Sequence, residues 1–291
     1  MAKRQLLNVG GVPFLVLKGV FIAKPGQKPD GDTVSFAVTQ PYRPGPVRTN
    51  VPLMREGVKP SNIRLQSIDA PEKEQPMGAK TRDVLLRSLS FNPSELGLSA
   101  DQFTIQGPMQ KHQGWLATHG MDGNRRPLGY VFAQSQGLTH GDIISADDLL
   151  PLIKTSVNFR LASLGWAFPA FYENTDEAHA AVFQKTAEKA RSKNKGIWAI
   201  DRTTVGFIPT PDALQSDGAL VYPKFFRRVA KWKTARQSAQ AFIAWLKTQE
   251  DGQKLVEGAA PTPIPVWKLF EKVNAKEVVV PYDVTRLWFR E

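Results

Sequence analysis

The chain has 291 residues, of which 42% are hydrophobic and 22% are charged, and its formal net charge is +11. This composition is typical of a globular protein with a real core. The absence of cysteine excludes disulfides, thiol catalysis and cysteine-ligated zinc.

Membrane and export signals are not readable in the sequence. No apolar run approaches the roughly 18 residues of a membrane span. The most apolar stretch, residues 11–24, contains Lys18 and lacks a small-residue cleavage site, so it suits a strand better than an export signal. We therefore expect a cytoplasmic protein without a membrane span, with a non-standard export route left open.

The basic excess is spread along the whole chain rather than gathered in a tail. A field of this sign would concentrate a polyanion and speed its encounter with the protein. Many basic proteins bind no nucleic acid, so charge alone leaves both alternatives open.

Short strands separated by turns dominate the first part of the chain. The predicted strands are 12–23, 33–38, 61–69, 103–107 and 126–133. A stretch at 40–62 is too rich in proline for a central strand and is predicted to be a long connection or an insertion. A loop at 108–121 is predicted to hold His112 and His119 at the surface.

Helices are predicted to follow the strands. The predicted helices are 78–90, 144–167 with Pro151 as a potential break, and 173–198. Strands followed by helices favour an α+β protein in which helices pack on a small β barrel.

The sequence pattern changes beyond about residue 200, and it predicts a mostly helical extension or small domain there. We predict a helical stretch over 222–257 in two pieces and a short strand at 276–283. The segment 225–236 interleaves aromatic and basic residues. It either extends a nucleic-acid groove or buries Phe225, Phe226 and Trp232 on one helix face, and the second interpretation is favoured.

Acids and arginines stand at several of the predicted strand ends. Asp30 and Asp32 flank a glycine before the second strand, while Asp69 and Glu72 follow the third. Carboxylate and carbonyl oxygens suit calcium or magnesium, and the arginine fork matches a phosphate. With Arg64, Arg125 and Arg126 nearby in the pattern, these groups suggest metal-assisted phosphodiester chemistry.

The order and spacing of five motifs resemble the staphylococcal nuclease-like (thermonuclease) family. The motifs are Asp30-Gly31-Asp32-Thr33-Val34, Arg64 with Asp69-Ala70-Pro71-Glu72, Arg126-Pro127-Leu128-Gly129-Tyr130, Val157-Asn158 with Leu161, Gly165 and Ala167, and Ile197-Trp198. The resemblance covers about residues 12–199, with insertions at about 40–62 and 108–121. It implies an OB-fold five-stranded barrel with three packed helices in a domain of residues 1–199. Residues 200–291 would then form the C-terminal helical extension.

The resemblance also implies how a metal ion is held. Asp32, Asp69 and the backbone carbonyl of Ala70 would ligate one calcium ion, and magnesium or manganese is less favoured. Asp30 and Thr33 would order the metal loop. Ala70 replaces the threonine of the family's type member, but a carbonyl ligand does not need that side chain.

The same resemblance assigns the catalytic and substrate-binding roles. Glu72 would be the general base or would position the attacking water, and Arg64 and Arg126 would clamp the phosphate. Arg125 is an alternative clamp because Pro127 replaces the family's glycine. Phe171 and Tyr172 are candidate base contacts, with simple packing equally open.

The implied function is a calcium-dependent, largely sequence-nonspecific nuclease that leaves 3′-phosphate ends on DNA. RNA is left open as a second substrate, and single strands should be preferred. The alternative is a non-catalytic OB-fold module that binds nucleic acid or protein. In a third interpretation, residues 200–291 recruit the nuclease to an unknown protein partner.

Overall fold

The fold is known from a computed structural model, which describes residues 13–41, 60–98, 103–215, 218–232, 238–249, 254–257 and 264–290. The strands in these ranges are β1 (Phe14–Ala23), β2 (Thr33–Val38), β3 (Ser61–Leu65), β4 (Ile68–Asp69), β5 (Gln110–Met121), β6 (Pro127–Phe132), β7 (Ile143–Ile144), β8 (Phe168–Pro169), β9 (Phe171–Tyr172), β10 (Lys254–Glu257), β11 (Ile264–Pro265), β12 (Glu271–Lys272), β13 (Val278–Val279) and β14 (Leu287–Arg290). The α-helices are α1 (Gly78–Ser88), α2 (Ala146–Ile153), α3 (Val157–Ser163), α4 (Glu177–Arg191), α5 (Pro211–Leu214), α6 (Pro223–Lys231) and α7 (Ala239–Thr248).

Five strands close into a barrel in the order β1, β2, β3, β6, β5 and back to β1. The ten-residue β1 closes the barrel because it is long enough to pair with both β2 and β5. All of these contacts are antiparallel except that between β3 and β6, which is parallel. The α+β class and the OB-like barrel predicted from the sequence are confirmed.

The loop predicted at 108–121 is wrong, because Gln110–Met121 is the barrel strand β5. An added Cβ at Gly114 would lie 2.1 Å from the ring of Phe21. The glycine makes room for that ring, which fills the barrel interior. His119, predicted at the surface, is buried on the same strand.

One other strand prediction changes as well. The predicted strand at 103–107 is reduced to an isolated bridge between Ile105 and Leu98. The proline-rich stretch 40–62 falls mostly outside the described residues.

The helix predicted at 144–167 forms two helices, α2 and α3. Pro151 lies inside α2, and the break follows it at residues 154–156. Ser156 starts α3, since its hydroxyl accepts a hydrogen bond from the Phe159 N–H at 3.1 Å. Both helices pack against α4, and α3 also packs against α1.

The C-terminal part mixes helices and strands. The two predicted helical pieces are α6 and α7, but residues 254–257 form β10 instead of continuing the helix. This strand pairs with β14, starting with Lys254 opposite Arg290, and such a distant partner leaves no local signal. The predicted strand near residue 278 is confirmed as β13.

A second hydrophobic core joins the C-terminal part to the first part of the chain. Phe168, Ile197 and Trp198 belong to this core together with residues of α6 and α7. In addition, β14 pairs in parallel with β9, placing Trp288 opposite Phe171. The predicted domain boundary at residue 199 stays a prediction, and apolar packing continues across it.

Candidate active site

Strand register brings the predicted site residues to one end of the barrel. Thr33 at the start of β2 lies opposite Arg64 on β3, and Arg64 lies opposite Leu128 on β6. Asp32 directly precedes β2, and Arg126 directly precedes β6. The same adjacency of β2, β3 and β6 therefore places an acid and two arginines side by side.

The loop that carries Asp32 packs tightly against Ala70. Asp32 Oδ2 accepts a hydrogen bond from the Ala70 N–H at 2.8 Å, and the Thr33 hydroxyl donates to Asp32 Oδ1 at 3.2 Å. Asp30 orders the same loop, because its Oδ1 accepts from the Asp32 N–H at 3.2 Å. An added Cβ at Gly31 would lie 2.7 Å from the Ala70 Cβ, so this approach requires glycine at position 31.

Arg64 lies between the two predicted metal-binding carboxylates. Its Nη2 donates to Asp69 Oδ1 at 2.5 Å and to the Ile68 carbonyl at 3.3 Å, and its Nη1 forms an ion pair with Asp32 Oδ1. Arg64 is 9% exposed, Asp32 4% and Asp69 0%, so this pairing takes place out of contact with bulk water. In such an environment each charge depends on its partner.

The hairpin before β6 distinguishes Arg126 from Arg125. Asp122 Oδ2 accepts from Arg126 Nε at 2.7 Å, and Arg126 Nη1 donates to the Thr33 hydroxyl at 3.2 Å. Arg125 is exposed at the turn with a φ of 62°. The structure thus places Arg126 beside Thr33 and leaves Arg125 exposed at the turn.

An arginine from the C-terminal part completes the cluster. Arg227 Nη2 lies 2.9 Å from Asp69 Oδ2, and Arg227 Nη1 donates to Asp69 Oδ1 at 3.4 Å and to Glu72 Oε1. We call the set of Asp32, Asp69, Glu72, Arg64, Arg126 and Arg227 the acid–arginine centre.

Helix α6, which carries Arg227, is anchored beside the turn that carries Glu72. Gln75 accepts a hydrogen bond from the Glu72 N–H at 3.0 Å and donates to the Val221 carbonyl at 2.8 Å. The buried Tyr222 hydroxyl donates to the Pro169 carbonyl at 2.8 Å, where β8 pairs with β4. These contacts fix the start of α6 relative to Asp69 and Glu72.

The two neighbouring acids have pKa values shifted in opposite directions. Burial by itself would raise the pKa of Asp69, but Arg227 and Arg64 hold it below its ordinary value. Burial raises the pKa of the half-buried Glu72, and Arg227 only partly opposes this shift. Asp69 is therefore a firmly ionised group, whereas Glu72 is closer to accepting a proton.

The centre opens into a groove of about 1350 Å³ between the barrel and the C-terminal part. Tyr172 is half-buried and lines this groove, whereas Phe171 is completely buried in contact with Trp288. No base can reach Phe171 in this position, which favours packing as its role. From the C-terminal part, the groove is lined by side chains that include Arg227, Lys231 and Trp245.

The donor types at the centre fit a calcium ion. Asp32 and Asp69 offer carboxylate oxygens beside Ala70, and calcium prefers oxygen ligands of this kind. These oxygens already accept hydrogen bonds from arginines, and no group of three or more acids and histidines is arranged to hold a metal within the described residues. The residues fit the ion by their chemistry, and the arginines share the same oxygens.

Two residues in contact with the predicted site residues, Asp122 and Arg227, are not predicted from the sequence. The short turn Asp122-Gly123-Asn124 before an arginine is a signal that could have identified Asp122 as its partner. Arg227 lies in the segment of interleaved aromatic and basic residues. Phe225, Phe226 and Trp232 of this segment are buried, as the favoured interpretation predicts. Arg227 lies between them in the sequence and lines the groove. The burial interpretation is therefore confirmed for these aromatic residues, and the nucleic-acid groove stays a prediction.

Comparison with known proteins identifies one region of the chain. Residues 62–200 match the family model of the staphylococcal nuclease homologues. The match includes Arg64, Asp69, Glu72 and Arg126 but begins after Asp32. No curated protein matches the chain, and no helix among the described residues is long and apolar enough to cross a membrane. Residues 62–200 are therefore similar to the staphylococcal nuclease homologues, and the OB-like barrel also includes β1 and β2, which precede the matched segment.

Proposed function

We propose that this protein is a calcium-dependent nuclease that hydrolyses phosphodiester bonds of nucleic acids with little sequence specificity. The observation that carries the proposal is the convergence of Asp32, Glu72, Arg64 and Arg126 at one groove, with the buried Asp69 paired to Arg64 beside it. Most of these residues lie within the segment that is similar to the staphylococcal nuclease homologues.

Glu72 is the proposed general base. The attacking water gives its proton to Glu72 while its oxygen forms a bond to phosphorus. The bond to the 5′-oxygen breaks, and this oxygen takes up a proton from solvent. The products carry a 3′-phosphate and a free 5′-hydroxyl, and Glu72 later returns its proton to solvent. The raised pKa of Glu72, caused by burial, brings its basicity closer to the working pH of such a reaction.

Arg64 and Arg126 are the proposed phosphate clamp. Their planar forks match the phosphate oxygens, and they stay charged at any working pH. The carboxylate of Asp122 fixes Arg126 in its orientation, so little conformational freedom is lost when the phosphate binds. Calcium, held by Asp32, Asp69 and the Ala70 carbonyl, would add Lewis-acid neutralisation of the developing charge.

The proposed substrate is DNA, with RNA as a second candidate, and single strands are preferred. The half-buried ring of Tyr172 is a candidate stacking surface within the groove. The net charge of +11 would draw the polyanion in.

The test is cleavage of single-stranded DNA by the full chain in calcium and then in EDTA. Glu72→Gln should lower the rate about 10²–10⁴-fold at unchanged folding, since the base is lost. Glu74→Gln is the matched control, because Glu74 is an exposed acid two residues away. Equal rates for the two variants would contradict the role of Glu72.

A non-catalytic OB-fold module is the second candidate. One observation favours it: arginines already pair with Asp32, Asp69 and Glu72, as in a purely structural ion-pair network. Tight, salt-sensitive binding of DNA without cleavage in any divalent ion would support this module and overturn the nuclease.

A further inference from the structure

Arg227 comes from a part of the chain outside the segment that matches the nuclease homologues. It lies 155 positions from Glu72 and 158 positions from Asp69. Its guanidinium contacts both oxygens of Asp69 and one oxygen of Glu72. It therefore contacts the same carboxylate that the proposed function assigns to calcium.

Two cations cannot share these oxygens without a cost. Asp69 is 0% exposed, so little water screens the repulsion between a guanidinium and a divalent ion at its carboxylate. Each oxygen of Asp69 already accepts a hydrogen bond from a guanidinium. A metal ion at Asp69 must displace Arg227 or be bound more weakly because of it.

The side chain of Arg227 has open space beside it in the groove. It is 38% exposed and borders the groove, whereas the start of its helix is held by Gln75 and Tyr222. Rotation of the side chain into the groove would release Asp69 and Glu72 without any movement of α6. Such a rotation would make the arginine a movable cation on a fixed helix.

We infer that Arg227 is a built-in competitor of the divalent cation at Asp69, through which residues 200–291 set the metal concentration at which the centre fills. The inference rests on the proposed function for the position of the metal. It gives the C-terminal part a specific task, namely to keep the centre closed at low metal concentration.

The experiment is calorimetric titration of the full chain with calcium alone, in the absence of nucleic acid. The calcium affinity of Arg227→Ala should be at least about tenfold higher than that of the wild type. Arg227→Gln, which keeps hydrogen-bonding capacity without the charge, should show the same direction. It also provides a second measurement if the alanine variant does not fold.

Lys231→Ala is the matched control. Lys231 is one turn further along the same helix, lines the same groove and is exposed. The substitution removes the same unit of charge, so it measures the general effect of a less positive groove. We expect a change in calcium affinity of less than about threefold for this variant.

The outcomes separate the inference from the proposed function, because binding is measured without cleavage. Tighter calcium binding by the Arg227 variants supports the inference even if no variant cleaves DNA. Equal or weaker binding by both variants, equal gains in Lys231→Ala, or no calcium binding by any variant would overturn it. Calcium-dependent cleavage of DNA, together with unchanged calcium affinities of the Arg227 variants, would support the proposed nuclease function and contradict this role of Arg227.

Discussion

The barrel and the C-terminal part both supply residues to the acid–arginine centre, but they do so in different ways. Asp32, Arg64 and Arg126 stand at the ends of β2, β3 and β6, where strand pairing fixes their separation. Asp69 lies on β4, which pairs with β8, and Glu72 lies in the turn after β4. Arg227 stands on α6, whose position depends on a second core and on a few hydrogen bonds to the barrel. One half of the centre is thus set by strand register and the other by the packing of a distant helix.

This difference teaches where a site can be recognised. Residues fixed by register keep a regular spacing along the chain, and such a spacing forms a motif. A residue brought in by tertiary packing has no such spacing, and only the fold shows that it belongs to the site.

The largest expected effect tests whether the two parts are separable at all. Removal of residues 200–291 would expose Phe168, Ile197 and Trp198, which are all buried in the second core. Each large apolar side chain contributes about 1.5–3 kcal/mol by burial, so the loss is comparable with a typical total stability of about 5–15 kcal/mol.

We expect the fragment 1–199 to lack a cooperative thermal transition when it is followed by circular dichroism. A well-folded fragment that cleaves DNA would contradict the view that both parts form the centre, because the barrel part would then be sufficient by itself. That result would favour the interpretation in which residues 200–291 serve only to recruit the protein to a partner.

The second prediction concerns the clamp on the barrel side. Arg126→Ala should lower the rate of DNA cleavage roughly 10²–10³-fold, because the fork held by Asp122 and directed to the centre is lost. Arg125→Ala should cost less than about threefold, since Arg125 lies outside the centre at an exposed turn. A larger loss in Arg125→Ala would reverse the assignment of the clamp.

The sequence predicted the barrel half of the centre in some detail. Asp32 and Asp69 follow turn and strand signals that are readable over a few residues, and their motifs resemble a known family. These two acids do lie close together, each paired with Arg64. Short-range signals succeed here because turns and strand ends are set by neighbouring residues.

The parts that the sequence did not predict depend on distant contacts. The sequence predicts a loop where β5 forms, and the ring of Phe21, which requires glycine at position 114, lies on the neighbouring strand and is visible only in the fold. The sequence predicts the end of a helix where β10 forms, because the partner strand β14 is distant along the chain, with Lys254 opposite Arg290. Arg227 was missed for the same reason, since its acids lie in another part of the fold.

The smallest expected effect sharpens the barrel side by testing what supports the turn between Arg64 and Asp69. His119 on β5 is 5% exposed and contacts Gln66 of that turn, with 2.8 Å between His119 Nε2 and Gln66 Oε1. Burial lowers the pKa of His119 to about 4, from an ordinary value near 6.5. The folded protein therefore holds this imidazole in its neutral form over a range in which the unfolded chain protonates it.

The sign of the pH effect follows from this shift. The stabilisation is fully present above pH 6.5 and is lost as the pH falls from about 6.5 to about 4, where the folded state also takes up the proton. The pKa difference corresponds to a loss of roughly 3 kcal/mol in the free energy of unfolding.

Urea unfolding at pH 7 and pH 4.5 should show most of this loss in the wild type and much less of it in His119→Gln. His112→Gln, on the same strand but half-buried against Phe91, should keep the wild-type pH dependence. If His119→Gln loses stability with pH as steeply as the wild type, the turn below the acids is not supported by a neutral histidine, and the rigidity of the barrel half must come from strand pairing alone.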